Sequence, residues 1–153
     1  MIGNTHNNKL VQKGVQQMLA KHDWNYFVTA NFNTERTDTG VRQTLKRWHA
    51  KLDRRLLGGR WQKKIEQRTL FVACCENAAT NVHWHMMVKV TEKGQQQFDT
   101  TAAALWENEV ASGTMDVQRL ATKEDELKAA SYATKGLWLA KGIESFVLST
   151  EFS

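Results

Sequence analysis

Two short apolar segments joined by a polar link constrain this chain more than any other feature. Thr69–Glu76 (TLFVACCE) and Val82–Val90 (VHWHMMVKV) have the length and the β-branched and aromatic content of strands, and Asn77–Asn81 between them is short enough for a hairpin. On a strand, residues two apart face the same way, so His83 and His85 project together while Trp84 points into the opposite layer. If the turn takes Asn77 to Val82, Glu76 lies across from His83, where opposed Cβ atoms are about 4.5–5.5 Å apart.

The other elements arrange themselves around this hairpin. Val11, Val15, Met18 and Leu19 recur at helical spacing, which predicts a short amphipathic helix over Asn8–Lys21 within an N-terminal helical extension, residues 1–23. Trp24–Asn33 (WNYFVTANFN) switches to period two, with Trp24, Tyr26, Val28, Ala30 and Phe32 on one face, and reads as a strand. A helix follows over Thr39–Leu57, striped by Val41, Leu45, Trp48, Leu52 and Leu56 and stopped by Gly58-Gly59. After the hairpin come a helix over Glu92–Val110 anchored by Phe98, Leu105 and Trp106, then a strand at Met115–Leu120. Next is a helix from the N-cap Thr122 to Leu139, and a last strand at Ile143–Leu148. Glu124, Asp125 and Glu126 suit the positive end of that last helix. The order β-α-β-β-α-β-α-β predicts one α+β domain over residues 1–153, an antiparallel sheet of about five strands with helices on its faces.

Charge is distributed unevenly. Arg42–Arg68 holds ten Lys and Arg against Asp53 and Glu66, a net +8 in a chain of net +5, so the remainder carries −3. A basic segment on a nearly balanced body fits a polyanionic partner, although a solvated lysine-rich face has the same composition. No apolar run approaches the roughly 18 residues of a membrane span, so no membrane association is expected. Residues 1–23 are too polar for a signal peptide. Cys74 and Cys75 are adjacent and make a poor structural disulfide, so a reducing, cytoplasmic setting is expected.

Two groups of residues carry chemistry. His83, His85 and Glu76 would put two imidazoles and a carboxylate on one strand face, with coordination positions left open for water or substrate. Such an oxygen-plus-imidazole set suits Mg²⁺ or Mn²⁺ with phosphate oxygens completing the shell. Cys74 shares the Glu76 face, which leaves a Cys/His zinc site to be weighed against a small buried core residue. The second group is Tyr132-Ala-Thr-Lys135: on a helix Tyr132 neighbours both Lys135 and Lys128. Nearby ammonium groups and a metal-polarised phosphate are what a phenol needs to attack as phenolate. Of the aromatics, Trp24, Trp48, Trp84 and Trp106 fall on apolar stripes. Trp61, in the basic Gly58–Lys64 connection, is placed either to pack or to stack on an unpaired base. Asn31 and Asn33 end the first strand, where they could reach a bound strand or make turn contacts. His6, His22 and His49 show no partner at useful spacing.

Glu76, the closely spaced His83-Trp-His85 and Tyr132-x-x-Lys135 on a later helix together resemble the HUH endonucleases, in particular the single-tyrosine rolling-circle replication initiators (Rep proteins). Phe27-Val-Thr-Ala-Asn-Phe32 falls where that family's first motif, an apolar strand with Thr or Asn, would lie. The three motifs span residues 27 to 135 in the family's order, and the element order matches its RRM-like core. The resemblance implies that His83, His85 and Glu76 hold one divalent ion, Mn²⁺ or Mg²⁺. It implies that Tyr132 attacks single-stranded DNA to give a 5′-phosphotyrosine, and that Lys135 orients the phosphate.

The implied activity is sequence-specific nicking and joining at a replication origin, on a single strand that includes a hairpin. No GxxxxGK word occurs, so a separate helicase and polymerase are expected as partners. Lys128, Arg47, Arg54, Arg55, Arg60, Trp61, Lys63, Lys64 and Asn31 are the candidate DNA contacts. Two alternatives stay open: a single-tyrosine HUH transposase, though those enzymes usually carry Gln rather than Lys after the tyrosine, and a non-catalytic RRM-like nucleic-acid-binding module. A relaxase would need a three-histidine cluster, which the sequence lacks.

Overall fold

In the computed structural model, which describes residues 2–34, 38–78, 81–139 and 146–152, the elements follow the predicted order. They are α1 (Ile2–Lys21), β1 (Tyr26–Asn31), α2 (Asp38–Leu57), β2 (Leu70–Ala78), β3 (Asn81–Lys89), α3 (Glu92–Glu109), β4 (Thr114–Arg119), α4 (Lys123–Leu139) and β5 (Phe146–Leu148). Short 3-10 helices at Trp61–Lys63, Ile65–Gln67 and Ser149–Phe152 complete the description. The strands form one sheet in the order β4-β1-β3-β2-β5, with every neighbouring pair antiparallel.

Alternation along the strands divides the interior into two layers. Tyr26, Val28 and Ala30 of β1, Trp84, Met86 and Val88 of β3, and Phe71 and Ala73 of β2 face α2 and α3. There they meet Val41, Leu45, Trp48 and Leu52 from α2 and Phe98, Ala102 and Trp106 from α3. The opposite face buries Val72, Cys74 and Met87 against Val15 and Leu19 of α1 and Ala133 of α4. Each fully buried apolar side chain of this size contributes about 1.5–3 kcal/mol, so the aromatic layer under α2 and α3 is the larger stabilising term.

Several boundaries differ from the sequence reading. α1 begins at Ile2 rather than near Asn8, because the apolar periodicity marks only the turns that pack, at Val15 and Leu19. Trp24 precedes β1 and belongs to the second layer, not to the Tyr26 face; its Nε1 donates to the Leu19 carbonyl at 2.9 Å and its backbone N–H to Glu126 Oε1 at 2.7 Å. The hairpin is tighter than expected, since pairing continues to Ala78↔Asn81. Of the last strand, Phe146–Leu148 is observed, and residues 143–145 lie outside the described residues. Caps follow the chemistry read from the sequence. Thr122 Oγ1 accepts from the Asp125 N–H at 3.1 Å, and Gly58, at φ +87°, closes α2 by donating to the Arg54 carbonyl at 2.9 Å.

His49, expected to be without a partner, sits in a buried polar network. Its Nε2 lies 2.8 Å from the Thr69 carbonyl and 3.1 Å from Asp53 Oδ2, while Arg68 Nη2 lies 3.2 Å from its Nδ1. Asp53 also accepts from Arg68 Nε at 2.8 Å and from the Thr69 N–H at 2.9 Å. The i,i+4 spacing of His49 and Asp53 on α2 was the available sequence signal. Burial alone would raise the Asp53 pKa, but hydrogen bonds from His49, Thr69 and Arg68 outweigh it and hold the carboxyl below the ordinary aspartate range. Stability from this group is therefore present above the unfolded aspartate pKa and lost as pH falls through the lower folded value. Replacing Asp53 with Ala removes the carboxylate partner of the half-buried Arg68 guanidinium and leaves the buried Thr69 N–H without its acceptor. We expect a loss of about 3–5 kcal/mol in urea unfolding at pH 7, shrinking as the pH is lowered below the aspartate range.

Candidate metal and nucleophile site

The register of the hairpin sets Glu76 opposite His83 and Cys74 opposite His85, and β1 adds Asn31 opposite His83 and Thr29 opposite His85. Trp84 points the other way and is fully buried, which fixes both imidazoles on the face toward α4. The donor atoms converge. Glu76 Oε2 is 2.9 Å from His83 Nε2 and 3.0 Å from His85 Nε2, and the two Nε2 atoms are 3.0 Å apart. Glu76 is exposed, His83 half-buried and His85 buried, so the triangle opens to solvent on its carboxylate side.

This triangle fits a metal ion. Protons on both Nε2 atoms would point at Glu76 and leave the nitrogen–nitrogen edge with none, whereas a cation shared by three donors accounts for all three edges. Donor atoms about 3.0 Å apart are close enough to share one divalent ion. Among the described residues these three are the one His/Cys/Asp/Glu group close enough to hold an ion. Hydrogen bonds from His85 and then His83 outweigh burial to hold the Glu76 carboxyl below the usual glutamate range. Burial, reinforced by the neighbouring His83, lowers the His85 pKa despite Glu76, so the neutral, metal-competent imidazole is favoured at neutral pH.

Cys74 is not part of this group. It is buried under α4 in the second apolar layer, and burial raises its thiol pKa to about 12. Cys74 is thus a core residue rather than a zinc thiolate, and it forms no disulfide with Cys75.

Tyr132 stands beside the triangle. α4 packs across β2 and β3, and its exposed Tyr132 ring meets His85 edge-on with centroids 5.0 Å apart. Phe27, from β1, lies under both: it is parallel to the His85 ring at 5.8 Å and edge-on to Tyr132 at 5.8 Å. Lys135 follows in the next turn of α4, and its side chain lies outside the described residues. Lys128, one turn before, pairs with Glu124 at 3.3 Å. Phe27 and Thr29, whose Oγ1 is 3.3 Å from His85 Nδ1, are site residues that the sequence reading named only within the segment Phe27–Phe32, with no individual role. Period two along β1 was the signal, since both occupy the face opposite Tyr26 and Val28.

The proposed DNA contacts fall in two places. Asn31 lies on the histidine face, where Thr114, Asp116 and Gln118 of β4 are exposed beside it; α1 and α4 pack over β2, β3 and β5 instead. Asn33 makes turn contacts, donating to the Ser112 carbonyl at 2.9 Å. The basic residues belong to α2 and the connection after it, in the opposite layer. Arg54, Arg55, Arg60 and Lys63 are exposed, Arg47 is paired with Glu109 at 3.1 Å, and Lys64 Nζ donates to the Leu57 carbonyl at 2.8 Å. Trp61 is half-buried with the Arg68 guanidinium 4.8 Å above its ring. No helix among the described residues is long and apolar enough to cross a membrane.

Comparison of the chain with protein-family models, curated proteins and solved structures returned no match.

The geometry predicts metal-linked stability. Mn²⁺ at about 100 times its Kd should raise the unfolding free energy by about 2.7 kcal/mol, and His83→Ala or His85→Ala should remove that increment. Binding should release protons and weaken as the pH falls through the histidine range, because only neutral imidazole coordinates. Calorimetric titration at pH 5.5 and 7.5, together with thermal melts, measures both effects.

Proposed function

We propose that this protein is a metal-dependent endonuclease and strand transferase acting on single-stranded DNA, of the HUH Rep type, and that it initiates rolling-circle replication in the cytoplasm. One observation carries the reading: Tyr132, from α4, lies against His85 of the Glu76/His83/His85 triangle although 47 residues separate them in the chain. A phenol beside a three-donor divalent site is the minimal equipment for phosphoryl transfer onto tyrosine. Two further features support it. The β-α-β-β-α-β run with β1 and β3 central in an antiparallel sheet is the arrangement of an RRM-like core. The polar strip of half-buried Asn31 and exposed Thr114, Asp116 and Gln118 leaves room for an extended strand to reach the triangle.

The residues divide the work as follows. Glu76, His83 and His85 hold one Mn²⁺ or Mg²⁺, which when bound supplies Lewis-acid stabilisation of charge developing on the phosphate. Tyr132 loses its phenolic proton to solvent and attacks phosphorus through Oη. The Oη–P bond forms as the P–O3′ bond breaks, and the departing 3′ oxygen takes up a proton. One ester replaces another, so the freed 3′-OH of the same or another strand can reverse the step and join ends. Lys135, one turn along α4, orients the phosphate or stabilises the transition state. Phe27 keeps the Tyr132 and His85 rings in place. Arg54, Arg55, Arg60 and Lys63 lie in the other layer and serve affinity for the phosphate backbone rather than chemistry. Origin DNA with a hairpin is the expected substrate, with a separate helicase and polymerase as partners.

Incubation with labelled single-stranded DNA of the protein's own replicon and Mn²⁺ should give an SDS-resistant adduct. Tyr132→Phe should abolish it, and His83→Ala should reduce it at least about 100-fold. An adduct that survives Tyr132→Phe overturns the nucleophile; tight binding without an adduct on any origin strand favours the RRM-like binding module. Arg54→Ala/Arg55→Ala should make the slope of log K against log salt shallower by about 1.4, while single-turnover cleavage at saturating DNA stays near the wild-type rate. Collapse of that saturated rate would mean that α2 contributes to the chemistry.

A further inference from the structure

His85 can bind a cation through Nε2 only if that nitrogen presents its lone pair, which in the neutral ring requires the proton to be on Nδ1. Nothing about Glu76 or His83 enforces this tautomer. The opposite one, with the proton on Nε2, could donate to Glu76 Oε2 at 3.0 Å. The partner that an Nδ1–H needs must come from the other side of the ring. There, Thr29 of β1 holds its Oγ1 3.3 Å from His85 Nδ1, directly across the β1–β3 ladder. The ring is buried, covered on one flat side by Phe27 and met at its edge by Tyr132, so little else can receive a proton from Nδ1.

We propose that Thr29 is a positioning residue that holds the ring orientation of His85 and supplies the acceptor its Nδ1–H needs when Nε2 binds a metal ion. Its hydroxyl accepts from Nδ1–H, leaving the Nε2 lone pair aimed at the point where Glu76 Oε2 and His83 Nε2 converge. A hydroxyl suits this place better than a carboxylate or carbonyl. It can donate to Nδ1 in the ion-free protein and accept from it in the loaded one, so neither state leaves a buried nitrogen without a partner. The rotamer of Thr29 is restrained by β-branching in a central strand, which fixes the hydroxyl relative to the ring.

The inference rests on the metal reading of the triangle but not on catalysis, and its test is binding and spectroscopy. Thr29→Val preserves shape and removes the hydroxyl; it should weaken Mn²⁺ binding 10- to 100-fold by calorimetry while the circular dichroism stays that of the wild type. Thr29→Ser should recover most of the affinity. In Zn²⁺-loaded wild-type protein, long-range ¹⁵N–¹H spectra of the imidazoles should show His85 protonated on Nδ1. Equal affinity of wild type and Thr29→Val, failure of Thr29→Ser to recover binding, or a proton on Nε2 in the loaded protein each overturn the inference. If Thr29→Val does not fold, the Ser variant and the wild-type spectrum decide alone. Wild-type protein that binds no Mn²⁺ overturns the metal reading itself, an outcome distinct from all of these.

Discussion

The pairing of β2 with β3 governs both the core and the site. Because side chains alternate strictly, a slip of one residue would drive His83 and His85 into the aromatic layer and expose Trp84, Met86 and Val88. Those apolar residues, buried against α2 and α3, hold the register far more firmly than any ligand could. Glu76 meets His83 as a by-product of burying Trp84. The donor triangle therefore costs little organisation of its own: its geometry is inherited from the packing behind it, and the solvent-facing side is free to carry polar chemistry.

The two faces of the sheet have separate tasks. One is sealed by α2 and α3, carries the large aromatic core, and shows solvent the basic outer surface of α2 beside the mixed polar surface of α3. The other is covered by α1 and α4 over β2, β3 and β5 but left open along β4. Charge and candidate chemistry thus lie on opposite sides of the molecule. Under the proposed function, a strand held by the basic ridge would have to turn around an edge of the sheet to reach His83, a path open to a flexible single strand and not to a straight duplex.

Much of this was legible in the sequence because the governing signals are local. Period two in Phe27–Asn31 and in the hairpin, helical stripes such as Val41, Leu45, Trp48 and Leu52, and the Thr122 cap each depend on neighbours within a few residues. Even the Glu76–His83 pairing follows from counting back from a short link. What escaped depends on contacts between distant elements. Trp24 left the face of its own strand because α1 and α4 offered its N–H groups acceptors at Leu19 and Glu126. His49 and Asp53 were one turn apart in plain view, yet their partners Arg68 and Thr69 come from the start of the next strand. The individual role of Thr29 became visible only when β1 was laid beside β3 in register.

The layer under α4, which carries Tyr132 beside His85, includes two small side chains. Ala133, the next residue on α4, is buried in the layer that includes Cys74, the β2 residue paired with His85. An alanine and a cysteine in this layer take up little room between α4 and the sheet, beside the larger Val72 and Met87. Positions of this kind tolerate little added volume, since an extra methylene or two must push one backbone away from the other. The distance from phenol to imidazole therefore depends on how this apolar layer packs, and so on residues outside the donor triangle.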